Sequence, residues 1–349
     1  MGMNKDRSYS RILVARLDRI GDVILSTPVF KNIRNAFPES YIAVMVRPYA
    51  RQIVEGNPYI DEVLLYDKSG KESGLLGNIN FISRLRSKRF DLAIALHPTV
   101  RTHLVTALAG IPERVGYDSK WGALLTRRVP HTKQFGLKHE LDYNLDLLRY
   151  IGLDPRDREL YMPTDSASEK KISDIFMRSG ITDSDMVVAV NPSASCRSKR
   201  WRVENFAKVA DYLARRHGAK IVVMGSPDDK IFGERVSSTM EERCLDLSGQ
   251  TSISDVASIL RRSKLFISND SGPVHIACAV GTPVIDIFGR SDKGLSPKRW
   301  GPVGARSIVL HKDVGCGVCL AHNCDKNFKC IESITSGEVI EASDRLLRS

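Results

Sequence analysis

The stretch Leu265 to Phe288, LFISNDSGPVHIACAVGTPVIDIF, places a polar turn between two apolar runs and so constrains the fold more than any other segment. Leu265 to Ser268 reads as a short buried strand, Asn269 to Pro273 as a tight turn, and Val274 to Val280 as a helix stopped by Gly281. A second strand, Val284 to Phe288, follows at once. Strand, turn, helix and strand in this order make a parallel crossover whose turn lies at the carboxyl edge of a sheet, with a helix amino end facing outward. The amides of Ser271 and Gly272 and the positive end of the helix dipole can then point at one phosphate group. Gly272 adds no Cβ to hold the ligand away.

The same grammar recurs along the chain. Strands are expected at Ile12 to Leu17, Tyr41 to Val46, Val63 to Tyr66 and Leu92 to Leu96, with a helix over Gly21 to Asn35 and a basic helix before Leu92. A second set follows at Val187 to Val190, Lys220 to Met224, Leu265 to Ser268 and Val284 to Phe288, with helices near Val203 to His217 and Ile253 to Arg262. Alternation at this spacing implies two α/β domains with doubly wound parallel sheets. The polar, proline-bearing segment GLDPRDRELYMPTDSAS carries the boundary, giving domains 1–160 and 161–349. A chain of 349 residues that is 42% hydrophobic can bury a core in each.

No G-x-G-x-x-G follows the first strand and no G-x-x-x-x-G-K-[ST] occurs, which argues against a nicotinamide enzyme or a P-loop NTPase. No run is long enough to span a bilayer and the start, MGMNKDRSYS, has no apolar signal core, so a cytosolic protein is expected. Seven cysteines, an odd number, fit reduced thiols better than a disulfide framework. Four of them, Cys316, Cys319, Cys324 and Cys330, resemble a metal cluster, but the spacing is irregular for a zinc site and no bound metal is expected.

The formal charge is +11, from 52 basic and 41 acidic residues. Between Arg84 and Lys138 eleven lysines and arginines stand against Asp91, Glu113 and Asp118, so this stretch alone carries +8. Such a band suits an anionic surface, or is simply a solvated face. Nucleic-acid binding lacks any recognisable helix-turn-helix, RRM or finger pattern, and the 7% aromatic content shows no stacking motif.

Four loops could carry chemistry. In RLDRIGDVILSTP, Asp22 opens a helix at the carboxyl edge of the first strand, where it either caps the helix or accepts a proton from a bound hydroxyl. In NPSASCRSKRW, Ser193 and Ser195 leave amides open to a ligand, and Lys199 and Arg200 place cations where a leaving diphosphate gathers charge. In GSPDD, Asp228 or Asp229 could bond ribose hydroxyls or cap the next helix. His275 follows the phosphate turn, and Asp270 would brace that turn or bond substrate hydroxyls.

Taken in order, ILVARLDRIGDVILSTP, NPSASCRSKRW, SNDSGPVHIACAVGTPVIDIFG, RWGP and the terminal cysteine pattern resemble glycosyltransferase family 9, the ADP-heptose:lipopolysaccharide heptosyltransferases, over nearly the whole chain. The resemblance implies a GT-B fold, two Rossmann-like domains facing across a cleft, acceptor on the amino-terminal side and nucleotide-sugar on the carboxyl-terminal side. It implies inverting transfer of heptose from ADP-heptose to the inner core of a lipid A-core glycolipid, with no cofactor. Asp22 would be the base and Lys199 would contact the donor diphosphate. Asp270, Ser271, Gly272 and His275 would surround the donor, with Ser193, Ser195 and Asp228 beside it. Arg101, Arg127 and Arg128 of the basic band would hold the acceptor, and the enzyme would sit peripherally on the cytoplasmic face of the inner membrane. Val274 stands where Met or Leu is usual and Arg290 where Pro is usual, which leaves another nucleotide-sugar or glycan acceptor as the alternative.

Overall fold

The computed structural model describes residues 8–304, 306–316 and 318–348. The polar start read above, residues 1–7, lies outside them. The chain forms two compact units, Met1–Pro163 and Thr164–Ser349. The division falls inside the proline-bearing segment, three residues after the expected 160/161 boundary.

The amino-terminal unit holds β1 (Arg11–Ala15), β2 (Tyr41–Val46), β3 (Glu62–Leu65), β4 (Leu92–Ala95), β5 (Glu113–Tyr117) and β6 (Arg127–Val129). They form one sheet in the order β3-β2-β1-β4-β5-β6, with every pairing parallel. Helices on both faces bury the central strands, so Ile12, Leu13 and Val14 of β1 are wholly buried. That is why β1 reads as a continuous apolar run rather than an alternating one.

The carboxyl-terminal unit repeats the plan with β7 (Val187–Asn191), β8 (Lys220–Val223), β9 (Cys244–Asp246), β10 (Ser263–Asn269), β11 (Val284–Phe288) and β12 (Ser307–His311). Its order is β12-β11-β10-β7-β8-β9, again all parallel. Each sheet is a doubly wound Rossmann sheet that reverses direction once, between β1 and β4 and between β7 and β10. Ligands of such sheets bind at the carboxyl ends of the strands flanking that reversal. The terminal helix Ser336–Arg348 closes this unit by burying Val339, Ala342 and Leu346 in its core.

Two expectations need correction. The single helix over Gly21 to Asn35 is two helices, Ile20–Ile24 and Thr27–Ala36, because Pro28 at the start of the second has no N–H to continue the first. Four strands, β5, β6, β9 and β12, were not anticipated. They are short or partly exposed outer strands, and β5 and β6 carry charged residues.

Candidate functional site

At the carboxyl edge of the amino-terminal unit the chain leaves β1 through Arg16, whose guanidinium is almost wholly buried (1% exposed) and organises the edge. One terminal nitrogen donates to Asp22 Oδ1 at 2.7 Å. The other donates to Asn144 Oδ1 at 2.9 Å and to the carbonyl of Leu96, which follows β4, at 3.3 Å. Nε lies 2.7 Å from Asp18 Oδ1, and Glu140 Oε1 lies 3.2 Å from the guanidinium. Glu140 in turn accepts from Lys133 Nζ at 2.6 Å. Burial opposes the charge on Arg16, but Asp18, Asp22 and Glu140 outweigh it and raise its pKa further.

Asp22 is the third residue of helix Ile20–Ile24, and its Oδ2 also accepts from the Arg19 amide at 3.3 Å. Both oxygens are therefore oriented, while 12% of the side chain stays open to solvent. Beside it, Asp18 Oδ2 lies 3.2 Å from His97 Nδ1. Burial pushes the Asp18 carboxyl up to about 7, against the pull of Arg16 and with help from Asp22 and Glu140. Burial together with Arg16 and Lys133 pulls His97 down to about 3, so the imidazole is neutral at neutral pH. The result is three carboxylates around two cations.

Of the basic band, Arg101 lies at this edge, in the first turn of helix Val100–Leu108, donating to the Lys68 carbonyl at 3.3 Å. Arg127 does not. It pairs with Glu113 at 2.6 Å and donates to the carbonyl of Tyr150, the far end of helix Glu140–Tyr150 and roughly 15 Å from Glu140 at 1.5 Å per residue. Arg128 is exposed on β6, 3.9 Å from Asp118. Arg101 and Arg128 thus both lie toward the carboxyl edge of this sheet, Arg128 on the outermost strand beside the residue that follows β5, whereas Arg127 faces the far end of helix Glu140–Tyr150.

At the carboxyl edge of the second unit, β7 and β10 bring two distant loops together. Asn191, the last residue of β7, donates from Nδ2 to Ser268 Oγ at 3.1 Å and Ser271 Oγ at 3.0 Å. Asn269, the last of β10, donates to the Pro192 carbonyl at 2.7 Å and accepts from the Trp201 amide at 2.9 Å. Trp201 is buried, stacked edge-on against Phe206 and bonded through Nε1 to the Ile334 carbonyl at 2.8 Å. This anchor holds Lys199, whose Nζ lies 2.7 Å from Asp270 Oδ2.

Helix Gly272–Val280 begins here, with Ser271 as an extended N-cap whose side chain makes no capping bond. The helix amino end is therefore left for another acceptor. Ser193 Oγ is buried without a hydrogen-bond partner among the described residues, and a Cβ at Gly225 would come within 2.9 Å of it. His275 is buried in the first turn, while Ser195 is exposed on the loop. Asp228 is exposed. Asp229 is half-buried, accepts from Ser226 Oγ at 3.0 Å and stands 3.9 Å from Arg200.

Ser193, Lys199, Asp270, Ser271, Gly272 and His275 thus share one sheet edge. Sequence reasoning passed over Arg16, Asp18, His97, Lys133 and Glu140. Asp18 and His97 had a local signal, lying just past β1 and β4 at the reversal point, whereas Glu140 meets Arg16 across 124 positions of sequence. The seven cysteines are unpaired, and among the described residues no three His, Cys, Asp or Glu side chains are grouped to hold a metal ion.

Two Rossmann sheets, one edge carrying an oriented carboxylate and the other a cation at a helix amino end, define a GT-B glycosyltransferase architecture. Residues 79–329 match the profile of Glycosyltransferase family 9 (heptosyltransferase), and the chain belongs to that family of enzymes. Lipopolysaccharide heptosyltransferase 3 of Escherichia coli (strain K12) is 27% identical over 337 residues, 94% of this chain and 95% of that protein. The crystal structure of the family 9 glycosyl transferase from Veillonella parvula DSM 2008 is 29% identical, covers 98% of both chains and superposes with a TM-score of 0.90. E. coli heptosyltransferase WaaC with ADP shares the fold at 18% identity, with a TM-score of 0.73 over 96% of this chain and 99% of that one.

Proposed function

We propose that this enzyme transfers heptose from ADP-heptose to the inner core of a lipid A-core glycolipid by an inverting single displacement, with Asp22 as general base. The observation that carries the donor reading is the joining of Lys199, Asp270 and the uncapped amino end of helix Gly272–Val280 at one sheet edge. Such a group binds a diphosphate and stabilises it as it leaves. In the reaction, Asp22 takes the proton of an acceptor hydroxyl as that oxygen forms a bond to the anomeric carbon. The bond from this carbon to the β-phosphate oxygen breaks, and its electron pair departs with ADP toward Lys199 and the helix amides.

Arg16 and the Arg19 amide keep the carboxylate oriented, a positioning role. Ser193 and Ser195 flank the donor phosphates, either Asp228 or Asp229 bonds the ribose hydroxyls, and His275 borders the donor phosphates and sugar. Arg101 holds anionic groups of the acceptor. The wider basic band, Arg127 and Arg128 included, draws the enzyme to the cytoplasmic face of the inner membrane as a peripheral protein. Among the described residues no helix is long and apolar enough to cross a membrane.

The test is incubation with ADP-, UDP- and GDP-sugars and a panel of truncated lipopolysaccharides, with products identified by mass. A heptose added only from ADP-heptose supports the reading. Transfer only from another nucleotide-sugar, or only to a different glycan, replaces it.

A further inference from the structure

Arg290 follows β11 at a place where the backbone is left-handed, φ +61°, a conformation that side-chain-bearing residues rarely adopt. Its side chain is nonetheless more than nine-tenths buried. One terminal nitrogen donates to Asp270 Oδ2 at 2.9 Å, the same oxygen that lies 2.7 Å from Lys199. Nε is buried and has no hydrogen-bond partner among the described residues. The approach is set by Gly289, where a Cβ would lie 2.3 Å from the Ser198 carbonyl, so the end of β11 packs directly against the turn that carries Lys199.

The charges at this spot do not cancel. Lys199 and Arg290 bring two positive charges to the one carboxylate of Asp270. The next carboxyl, Asp286, is wholly buried, and burial, with the charge of Asp270, pushes its pKa well above the ordinary value, which disfavours its charged form. A largely desolvated net positive charge thus sits beside the open amino end of helix Gly272–Val280, and both features are satisfied by an anion.

We propose that Arg290 is a second phosphate-binding cation, which joins Lys199 on the diphosphate of the nucleotide donor. In the empty site Asp270 holds both cations in place. When the donor binds, the guanidinium offers Nε and a terminal nitrogen to phosphate oxygens as a planar fork. This inference rests on the nucleotide-diphosphate donor proposed above and adds a contact specific to chains with Arg at this position.

The test is calorimetric titration of the full chain with ADP and with AMP, for the wild type, Arg290→Gly, Arg290→Gln and Arg290→Lys, alongside thermal unfolding. Glycine takes the left-handed backbone without strain, so Arg290→Gly separates the guanidinium from the turn it stands on. ADP affinity should fall about tenfold or more in the Gly and Gln variants and by less in Lys, AMP affinity should fall less than ADP affinity, and the Gly variant should unfold no earlier than the wild type. Unchanged ADP affinity in Gly and Gln overturns the proposal. So does an equal loss for ADP and AMP accompanied by a lowered unfolding temperature, which would make Arg290 a structural brace. A wild type that does not bind ADP removes the donor reading and this inference with it.

Discussion

Replacing Asp18 by Asn probes the buried network at the amino-terminal edge most sharply. The carboxyl titrates near 3.8 in an unperturbed chain and is pushed up to about 7 in the fold, by burial first, opposed by Arg16 and reinforced by Asp22 and Glu140. Because the folded value lies above the unfolded one, the protonated form favours folding. Its contribution is complete below about pH 4 and is lost as the pH rises to about 7. At about 1.4 kcal/mol for each pH unit, this window of roughly three units amounts to about 4 kcal/mol. Asn keeps the shape of the neutral acid and cannot ionise, so the variant should match the wild type at pH 4 and exceed it by a few kcal/mol at pH 8. Urea unfolding of both proteins at pH 4 to 8 measures this difference directly. Parallel stability curves, with no gap opening between pH 4 and 7, would refute the placement of a half-buried, protonatable Asp18 beside His97 and Arg16.

Other substitutions separate the two edges. Lys199→Ala should weaken ADP binding about tenfold, or about 1.4 kcal/mol by calorimetry, because it removes a cation while Asp270 keeps its bond from Arg290. Glu140→Ala strips a nearly fully buried carboxylate from Arg16 and Lys133 and should cost about 3–5 kcal/mol in chemical unfolding, whereas Glu140→Gln keeps an acceptor and should cost less. A loss as small as that of a surface substitution would contradict the buried triad. Arg101→Ala should raise the acceptor KM and leave ADP affinity unchanged, and added salt should mimic it, since exposed charges are screened beyond about 10 Å at 0.1 M salt.

The parts legible in the sequence are those decided by near neighbours. The central strands β1, β2, β7, β8, β10 and β11 show as apolar runs because helices bury both faces. Pro28, visible beforehand, marks the break that divides the expected helix after β1. The outer strands were harder. RRV of β6 reads as part of a basic loop until Arg127 is seen paired with Glu113 on the neighbouring β5.

The site divides the same way. Asp22, Lys199, Asp270 and Gly272 lie within loops whose chemistry is local, so motif and spacing find them. The partnership of Arg16 with Glu140 and Asn144 depends on helix Glu140–Tyr150 packing against β5, β6 and helix Thr27–Ala36, and no local pattern encodes that contact. Proximity in sequence also misleads. Arg127 and Arg128 are adjacent in one basic band, yet Arg127 pairs with Glu113 at the start of β5 and Arg128 meets Asp118 just past its end.

The central claim is that Asp22 takes the acceptor proton, and the single-turnover rate of Asp22→Asn tests it most directly. Asn keeps the size of the side chain and one carbonyl oxygen for Arg16, so the fold and the donor edge should be intact. With saturating ADP-heptose and acceptor, quenched-flow measurement should give a rate lowered about a hundredfold or more while the ADP-heptose dissociation constant stays within twofold of the wild type. A near-normal rate would contradict the assignment of Asp22 as the base.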